Sequence, residues 1–224
     1  MTTTPTAILF DLDNTLFNRV AAFLGVAGDF YAEFLASSAS VDRDEAVALM
    51  VEWDDDGYSN RSEMREAWLG QWPEVGLDLD AFNRWYRRTM DRRSGPDAAV
   101  NDFLAELNRA GIPWGIVTNG SVNQRTKCRT TGLSELTSTV IISEEQGYAK
   151  PDPRIYRDAL TALGLASPEG VLFVGDNPVT DIDGAQAFGM RTAWVTRGRQ
   201  FPAELHPPDI AIERVTDLRG LLGL

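Results

Sequence analysis

The stretch Ala7–Phe17, AILFDLDNTLF, places four apolar residues directly before an acidic turn. An apolar run of this length is typical of a strand buried on both faces of a parallel sheet. The run ends at Asp11, and a second carboxylate follows at Asp13. Ligands of open parallel sheets bind just beyond the carboxyl ends of the strands. The two carboxylates form either an ordinary acidic turn or a site where a cation or proton compensates their charge.

Composition restricts the classes of protein to which the chain can belong. Its 224 residues are 43% hydrophobic, enough for one large domain or for one domain with an insertion. The net charge of −12 argues against binding to nucleic acid or to anionic membranes. No apolar run approaches the roughly 20 residues that cross a bilayer, and Met1–Thr6 does not resemble a signal peptide. We therefore expect a soluble, cytoplasmic protein.

Cysteine and histidine are too scarce for several common kinds of catalytic site. With Cys128 as its single cysteine and His206 as its single histidine, the chain cannot form an internal disulfide or a zinc cluster of Cys and His. Nucleophile pairs with histidine are excluded unless His206 folds back, so the chemistry must rest on carboxylates. The only lysines are Lys127 and Lys150, whereas all other basic residues are arginines. A lysine here is expected where a compact point charge is needed.

Residues 18–95 are predicted to form an all-helical block inserted after the first strand. Apolar residues recur at helical spacing in four segments: Val20–Leu35, Glu45–Trp53, Glu63–Trp72 and Leu79–Met90. Asp42 and Ser62 are the predicted N-caps. The four tryptophans of the block are expected to pack between helices. The arginines between Arg84 and Arg93 are expected to form a solvated helix face, with a rim that attracts phosphate as the alternative.

From Pro96 onward, strands and helices alternate. The predicted strands are Ile112–Thr118, Ser138–Ile142, Val171–Gly175, Thr192–Thr196 and Asp209–Ile212. Alternation of this kind indicates an α/β fold, a Rossmann-like parallel sheet with helices on both faces. The first strand belongs to this sheet. We therefore predict an α/β core domain of residues 1–17 and 96–224 and an inserted helical cap domain of residues 18–95.

Two further groups of polar residues lie near strand ends or helix starts. Thr118, Asn119 and Gly120 follow the second predicted strand. A hydroxyl and backbone N–H groups before a helix suit phosphate oxygens, although an ordinary Asn-Gly corner has the same sequence. Lys150 precedes a helix and is held between residues of a proline-rich frame, KPDP. It is expected either to form a salt bridge or to bind an anion.

A second pair of carboxylates, Asp176 and Asp181, follows the strand Val171–Gly175. A helix N-cap explains one of them but not both. It also does not explain why a second strand repeats the pattern of the first. Hard carboxylate and carbonyl oxygens are the ligands that suit Mg²⁺, which also binds substrate phosphates.

Taken together and in this order, the four groups of residues resemble the four motifs of the haloacid dehalogenase (HAD) superfamily. The resemblance extends over nearly the whole chain, and the insertion resembles the α-helical cap of subfamily I. The form Thr118-Asn119-Gly120 of the second motif resembles the branch that contains pyrimidine 5′-nucleotidases and N-acylneuraminate 9-phosphatases. The resemblance implies a Mg²⁺-dependent phosphomonoester hydrolase.

The family pattern also implies a role for each matching residue. Asp11 would be the nucleophile that forms an aspartyl-phosphate, and Asp13 the general acid and base. Lys150 would neutralise charge on the nucleophile and the transferring group. The phosphate would be held by Thr118, Asn119, Gly120 and Lys150. The Mg²⁺ ligands would be Asp11, the backbone carbonyl of Asp13, Asp176, and Asp181 either directly or through water.

Asp13 distinguishes the possible chemistries within the superfamily. Dehalogenases proper lack an acid at this position, because a halide leaves without protonation, so Asp13 favours a phosphatase over a C–halogen hydrolase. A non-catalytic phosphate-binding regulatory module is a further alternative, and the complete set of Asp11, Asp13, Lys150 and Asp176 argues against it. The expected substrate is a small phosphorylated metabolite, such as a nucleoside monophosphate or sugar phosphate. The expected state is a monomer or homodimer.

Overall fold

The apolar run that opens the chain forms strand β1 (Ala7–Phe10), whose four side chains are all buried. Phe10 packs edge-to-face against Phe103 and Trp114, with ring centroids 6.4 and 5.9 Å away. Leu9 points to the opposite face of the sheet and belongs to a second hydrophobic cluster. Because both faces are covered, the strand has no polar position and reads as a continuous apolar run.

The computed structural model describes residues 4–38, 40–57 and 59–224. By its internal contacts the chain divides into one unit of Met1–Asn18 and Pro96–Leu224 and a second unit of Arg19–Gly95. Residues 1–3, assigned above to the core domain, lie outside the described residues, as do Ala39 and Tyr58 of the predicted helical domain.

The unit Arg19–Gly95 is helical. Its helices are α1 (Arg19–Phe30), α2 (Arg43–Asp54), α3 (Arg61–Gln71) and α4 (Leu79–Arg93). A π-helical turn, Tyr31–Leu35, continues α1. Phe30 lies at the centre of the hydrophobic core, where its ring centroid is 4.7 Å from that of Trp68 and 5.3 Å from that of Trp85. The tryptophans therefore pack between helices, as predicted.

The helix starts in this unit show which capping prediction is correct. Asp42 caps α2, because its carboxylate accepts hydrogen bonds from the backbone N–H groups of Asp44 and Glu45 at 2.9 and 3.0 Å. The prediction of Ser62 as an N-cap is wrong. Asn60 caps α3 by accepting from the Glu63 N–H at 2.9 Å, and the Glu63 side chain reaches back to the Asn60 N–H. This capping box moves the helix start ahead of Ser62.

The second unit contains the sheet. Its further strands are β2 (Trp114–Thr118), β3 (Val140–Ile142), β4 (Val171–Gly175), β5 (Arg191–Val195) and β6 (Ile210–Ile212). Within the described residues the six strands are all parallel and lie in the order β3-β2-β1-β4-β5-β6. The predicted Rossmann-like fold with a helical insertion is thus confirmed. The crossover at β1 places β2 and β4 on either side of it.

Helices lie between the strands of this sheet, and a last helix follows β6. They are α5 (Ala98–Arg109), α6 (Asn123–Thr130), α7 (Ser143–Gln146), α8 (Pro153–Ala162), α9 (Gly184–Phe188) and α10 (Leu218–Leu222). A π-helical turn, Pro178–Asp183, leads into α9. Phe103 of α5 packs on one face of β1, whereas Ile155 and Tyr156 of α8 join the cluster on the other face. Across the described ranges, no helix combines the length and apolar character needed to span a bilayer.

Candidate active site

The carboxyl ends of β1 and β4 bring three acidic side chains together. The two strands are neighbours in register, with Phe10 opposite Val174, and the Asp11 N–H donates to the Val174 carbonyl at 2.8 Å. Asp11 follows β1 and Asp176 follows β4, so both leave the sheet at the same edge. One carboxylate oxygen from each of Asp11, Asp176 and Asp181 lies within 4.8 Å of the others. All three residues are buried.

Asp181 reaches this cluster because the chain turns sharply after β4. The Asn177 side chain accepts from the N–H groups of Val179 and Thr180, both at 2.9 Å, and so starts the π-helical turn. The Asn177 N–H in turn donates to Asp181 Oδ2 at 2.9 Å. A Cβ atom on Gly175 would lie 2.3 Å from that same oxygen. Only glycine at position 175 therefore allows Asp181 to fold back against the end of the strand.

Lys150 is the buried cation of the cluster. Its Nζ lies 2.6 Å from Asp11 Oδ1 and 2.7 Å from Asp181 Oδ1, and only 1% of its side chain is exposed. Asn119 fixes the backbone on which Lys150 sits. The Asn119 side chain donates to the Lys150 carbonyl at 2.9 Å and accepts from the Lys150 N–H at 2.8 Å. Lys150 thus links Asp11, which follows β1, to Asp181, which follows β4. Asn119, which follows β2, holds the lysine's backbone in place.

Burial and mutual repulsion perturb the titration of these groups. Burial raises the pKa of Asp11 well above its usual value, against the effect of Lys150, and the carboxylates of Asp181 and Asp176 raise it further. Burial also raises the pKa of Asp176 to about 6, and Asp181 adds to the rise. Burial alone would lower the pKa of Lys150, but Asp11 and Asp181 raise it above its ordinary value. The cationic side chains of the protein therefore do not fully compensate the negative charge of the buried aspartates.

Asp13 lies on a tight loop outside this cluster. The Leu12 carbonyl accepts from the N–H groups of Leu16 and Phe17 at 3.0 and 2.9 Å, and Asn14 has a left-handed φ of 61°. The two carboxylate oxygens of Asp13 accept from different donors on α6. Lys127 donates to Oδ1 in a salt bridge, and Gln124 donates to Oδ2 at 2.7 Å.

The segment Thr118–Gly120 contributes in three different ways. Thr118 is buried, and its hydroxyl oxygen accepts from Gln124 at 3.0 Å. The side chain of Asn119 is engaged with the Lys150 backbone, as described above. The Gly120 N–H donates to the Ser143 hydroxyl at 2.9 Å. The Thr118 hydroxyl therefore lies beside the Asp13 network, whereas the Asn119 side chain and the Gly120 N–H already have partners within the protein.

Four residues near the predicted site were not among the sequence predictions. Gln124 and Lys127 are the donors to Asp13, and Arg197 and Arg199 are donors to Asp176. Arg197 Nη1 and Arg199 Nη2 lie 3.0 and 2.9 Å from Asp176 Oδ2. The scarcity of lysine was a signal for Lys127. The two arginines follow β5, the neighbour of β4, and a search for cations at every strand end would have found them.

Comparisons with known proteins identify the family to which the chain belongs. A model of the haloacid dehalogenase-like hydrolase family matches residues 8–195. Phosphoserine phosphatase of Thermus thermophilus is 46% identical over 161 residues, which cover 71% of this chain and 60% of that protein. Phosphoglycolate phosphatase of Pectobacterium atrosepticum is 30% identical over 222 residues, covering 96% of this chain and 92% of that one.

A dehalogenase also occurs among the relatives. The (S)-2-haloacid dehalogenase of Pseudomonas sp. strain YL is 35% identical over 152 residues, covering 67% of this chain and 63% of that protein. Among solved structures, the HAD-hydrolase YfnB of Bacillus subtilis, bound to magnesium, superposes with a TM-score of 0.76. The superposition covers 99% of this chain and 100% of the YfnB chain, and at 21% identity it shows that the two share a fold. The chain belongs to the haloacid dehalogenase-like hydrolase family.

Proposed function

We propose that the protein is a Mg²⁺-dependent phosphomonoester hydrolase that acts on a small phosphorylated metabolite through an aspartyl-phosphate on Asp11. The observation that carries this proposal is the buried cluster of Asp11, Asp176 and Asp181 with Lys150 bridging two of them. A carboxylate held among fixed charges at a strand end suits nucleophilic attack on phosphorus. Oligomeric state and a cytoplasmic location stay predictions.

The donor set fits a magnesium ion. Three buried carboxylates supply hard oxygen atoms, and the raised pKa values of Asp11 and Asp176 support a site that favours additional positive charge. Asp11, the backbone carbonyl of Asp13, and Asp176 would hold the ion. Both oxygens of Asp181 already accept hydrogen bonds, from Lys150 and from the Asn177 N–H, which favours a contact through water. Bound Mg²⁺ would offset the repulsion between the nucleophile and a phosphate dianion.

The chain's own side chains divide the reaction between them. A carboxylate oxygen of Asp11 attacks phosphorus, and the bond from phosphorus to the ester oxygen breaks. Asp13 gives its proton to that leaving oxygen, then takes a proton from the water that attacks the aspartyl-phosphate and regenerates the Asp11 carboxylate. Lys150 stabilises charge on the transferring group. The Thr118 hydroxyl and the backbone N–H of Asn119 are proposed to bind phosphate oxygens. The predicted contribution of Gly120 is not part of this proposal, because its N–H, the only donor it has, is bound to the Ser143 hydroxyl. The helical unit is proposed to act as the cap that selects the leaving group.

Release of phosphate against release of halide tests the proposed reaction. A panel of nucleoside monophosphates, sugar phosphates, phosphoserine, phosphoglycolate and 2-haloacids would be assayed with Mg²⁺ and with a chelator. We expect phosphate from at least one phosphomonoester, loss of that activity with the chelator, and no halide. The 35% identical dehalogenase makes C–halogen hydrolysis the second candidate. Halide release without phosphatase activity across the panel would establish it instead.

The raised carboxylate pKa values predict how magnesium affects stability. Burial raises the folded-state pKa of Asp176 to about 6 and that of Asp11 well above the unfolded value of about 3.9. Metal-free protein therefore loses the stability that Asp176 provides as pH rises from about 4 through about 6, and it loses the contribution of Asp11 in the same direction. Mg²⁺ binds the ionised groups. At about 100 times its Kd it should raise Tm by about 5–10 °C at pH 7.5 and by much less at pH 5.

Differential scanning fluorimetry checks this prediction without any activity assay. The variant Asp176→Asn should lose the Mg²⁺-dependent shift, because it removes a ligand. It should also be more stable than the metal-free native protein at pH 7.5, because it removes a buried charge. Glu204→Gln, a change at an exposed carboxylate, is the control and should keep the native shift. An equal Mg²⁺ shift in Asp176→Asn would contradict the assignment of the ion to this cluster.

A further inference from the structure

We propose that Lys127 is a positioning residue that, together with Gln124, fixes the carboxyl group of Asp13 for protonation of the leaving group. The inference rests on the proposed phosphatase function and assigns a role to residues outside the predicted catalytic set. The protein contains two lysines, and each places its Nζ on an aspartate of the segment that follows β1. Lys150 holds Asp11, and Lys127 holds Asp13.

Lys127 contacts both ends of the loop that carries Asp13. Its Nζ donates to Asp13 Oδ1 and lies 5.0 Å from the centroid of the Phe17 ring. Asp13 and Phe17 themselves pair through their backbones in an isolated bridge that closes the loop. Only 13% of the Lys127 side chain is exposed, compared with 24% for Asp13. The lysine therefore anchors the loop and the carboxyl group at the same time.

Gln124 holds the other oxygen of the same carboxyl group. It precedes Lys127 by three positions on α6, so the two side chains project from one face of the helix. Gln124 Nε2 donates to Asp13 Oδ2 at 2.7 Å and to the Thr118 hydroxyl at 3.0 Å. Gln124 is buried, and a Cβ atom on Gly120 would lie only 3.0 Å from its Cγ. The amide therefore has little freedom, and it links Asp13 to the end of β2.

Such anchoring matters because a general acid must lie within hydrogen-bond distance of the oxygen that it protonates. Asp13 is partly exposed on a loop, where its side chain could otherwise adopt several rotamers. Because Lys127 and Gln124 donate to different oxygens of Asp13, these contacts from α6 hold both torsions of its side chain. The proton that Asp13 transfers then lies on an oxygen lone pair that these two bonds leave open. A misplacement of about 1 Å at such a group can cost on the order of 100-fold in rate.

Dependence on the leaving group separates this role from a structural one. The departing p-nitrophenolate of p-nitrophenyl phosphate needs little protonation, whereas an alkoxide does. The value of kcat/KM covers the steps up to departure of the leaving group, so it omits the later hydrolysis of the aspartyl-phosphate. We therefore compare kcat/KM for p-nitrophenyl phosphate with that for the best alkyl phosphomonoester of the panel.

The variant Lys127→Met should lower kcat/KM for the alkyl substrate by about 30- to 100-fold and that for p-nitrophenyl phosphate by less than about 3-fold. Lys127→Arg should recover most of the alkyl activity, because it restores a charged donor. The matched control is Arg125→Met. Arg125 lies on the same helix and pairs with Glu145 at 2.7 Å, but its side chain is half exposed and does not contact Asp13 in the described hydrogen bonds. It should leave both values unchanged.

Equal losses on the two substrates would show a purely structural role, and no loss on either would show that Lys127 is dispensable; both results overturn the proposal. Circular dichroism checks that each variant is folded. If Lys127→Met does not fold, Lys127→Gln provides the same comparison with a neutral donor. It should also lower kcat/KM more for the alkyl substrate than for p-nitrophenyl phosphate, but by a smaller factor. Failure of the proposed function is a separate result, because the native enzyme would then hydrolyse neither phosphomonoester.

Discussion

Replacing Asp11 with Asn is expected to abolish turnover, with kcat lowered on the order of 10⁴-fold or more, as for loss of other covalent nucleophiles. The amide cannot form the acyl-phosphate, although it has nearly the same shape and can still accept a hydrogen bond from Lys150 Nζ, which lies 2.6 Å from Asp11 Oδ1. Because burial raises the pKa of Asp11, loss of this charge should not destabilise the metal-free fold at neutral pH. Steady-state phosphate release and thermal unfolding measure the two effects.

Mass spectrometry of rapidly quenched enzyme provides an independent readout. The native protein should carry a phosphoryl group on the peptide that contains Asp11, and Asp11→Asn should carry none. Asp44→Asn is the matched control, since 89% of the Asp44 side chain is exposed and it contacts only a neighbouring arginine among the described salt bridges. Retention of more than about 1% of native kcat in Asp11→Asn would exclude the proposed nucleophile.

Replacing Lys150 with Met should have the largest effect on stability. The ammonium bridges Asp11 and Asp181 with 1% of its side chain exposed, so its loss leaves two buried carboxylates without their cation. Breaking a buried ion pair from one side costs about 3–5 kcal/mol, which corresponds to a fall in Tm of about 6–20 °C for a chain of this size. Activity should be lost as well, because the transferring group loses its cation.

Chelator-treated protein and two pH values make the test specific. Burial raises the pKa of Asp11, so acidification protonates that group and relieves the unpaired charge. The difference in Tm between Lys150→Met and native protein should therefore be smaller at pH 5 than at pH 7.5. Adding Asp181→Asn to Lys150→Met should recover part of the loss, because one buried carboxylate is removed. A Tm within about 2 °C of native at pH 7.5 would show that the pairs contribute little.

Local sequence patterns were sufficient to predict the parallel sheet and the places where its strands end. The run Ala7–Phe10 is apolar because it is buried on both faces, and that burial is the signal of a central strand. The family resemblance assigned the acidic residues after β1 and β4 to one metal ion, and in the structure they meet because these parallel neighbours end at one edge of the sheet. The roles of the individual residues in catalysis stay predictions, which the experiments above address.

Features that depend on packing between distant segments could not be read from local patterns. Lys127 and Gln124 reach Asp13 across more than 110 positions of sequence, and only the orientation of α6 on the sheet decides which of its side chains face the loop. The π-helical turn Pro178–Asp183 is another such feature, because its extra residue per turn leaves no mark in the apolar spacing. The first residue of a helix is also hard to predict, because neighbouring polar residues compete for the N-cap position, as Asn60 and Ser62 do.

The two lysines also determine how the protein responds to amine-directed reagents. Every side-chain amine of the folded chain lies in a salt bridge with an aspartate, and the exposed fractions of the two side chains are 13% and 1%. Acylating labels and aldehyde cross-linkers that require an accessible side-chain amine should therefore react slowly with the native chain and quickly once it unfolds. The extent of lysine acylation would then report the fraction of molecules in which the two lysine–aspartate salt bridges have opened. For the same reason, coupling of the protein to a solid support is better directed at carboxylates than at lysine.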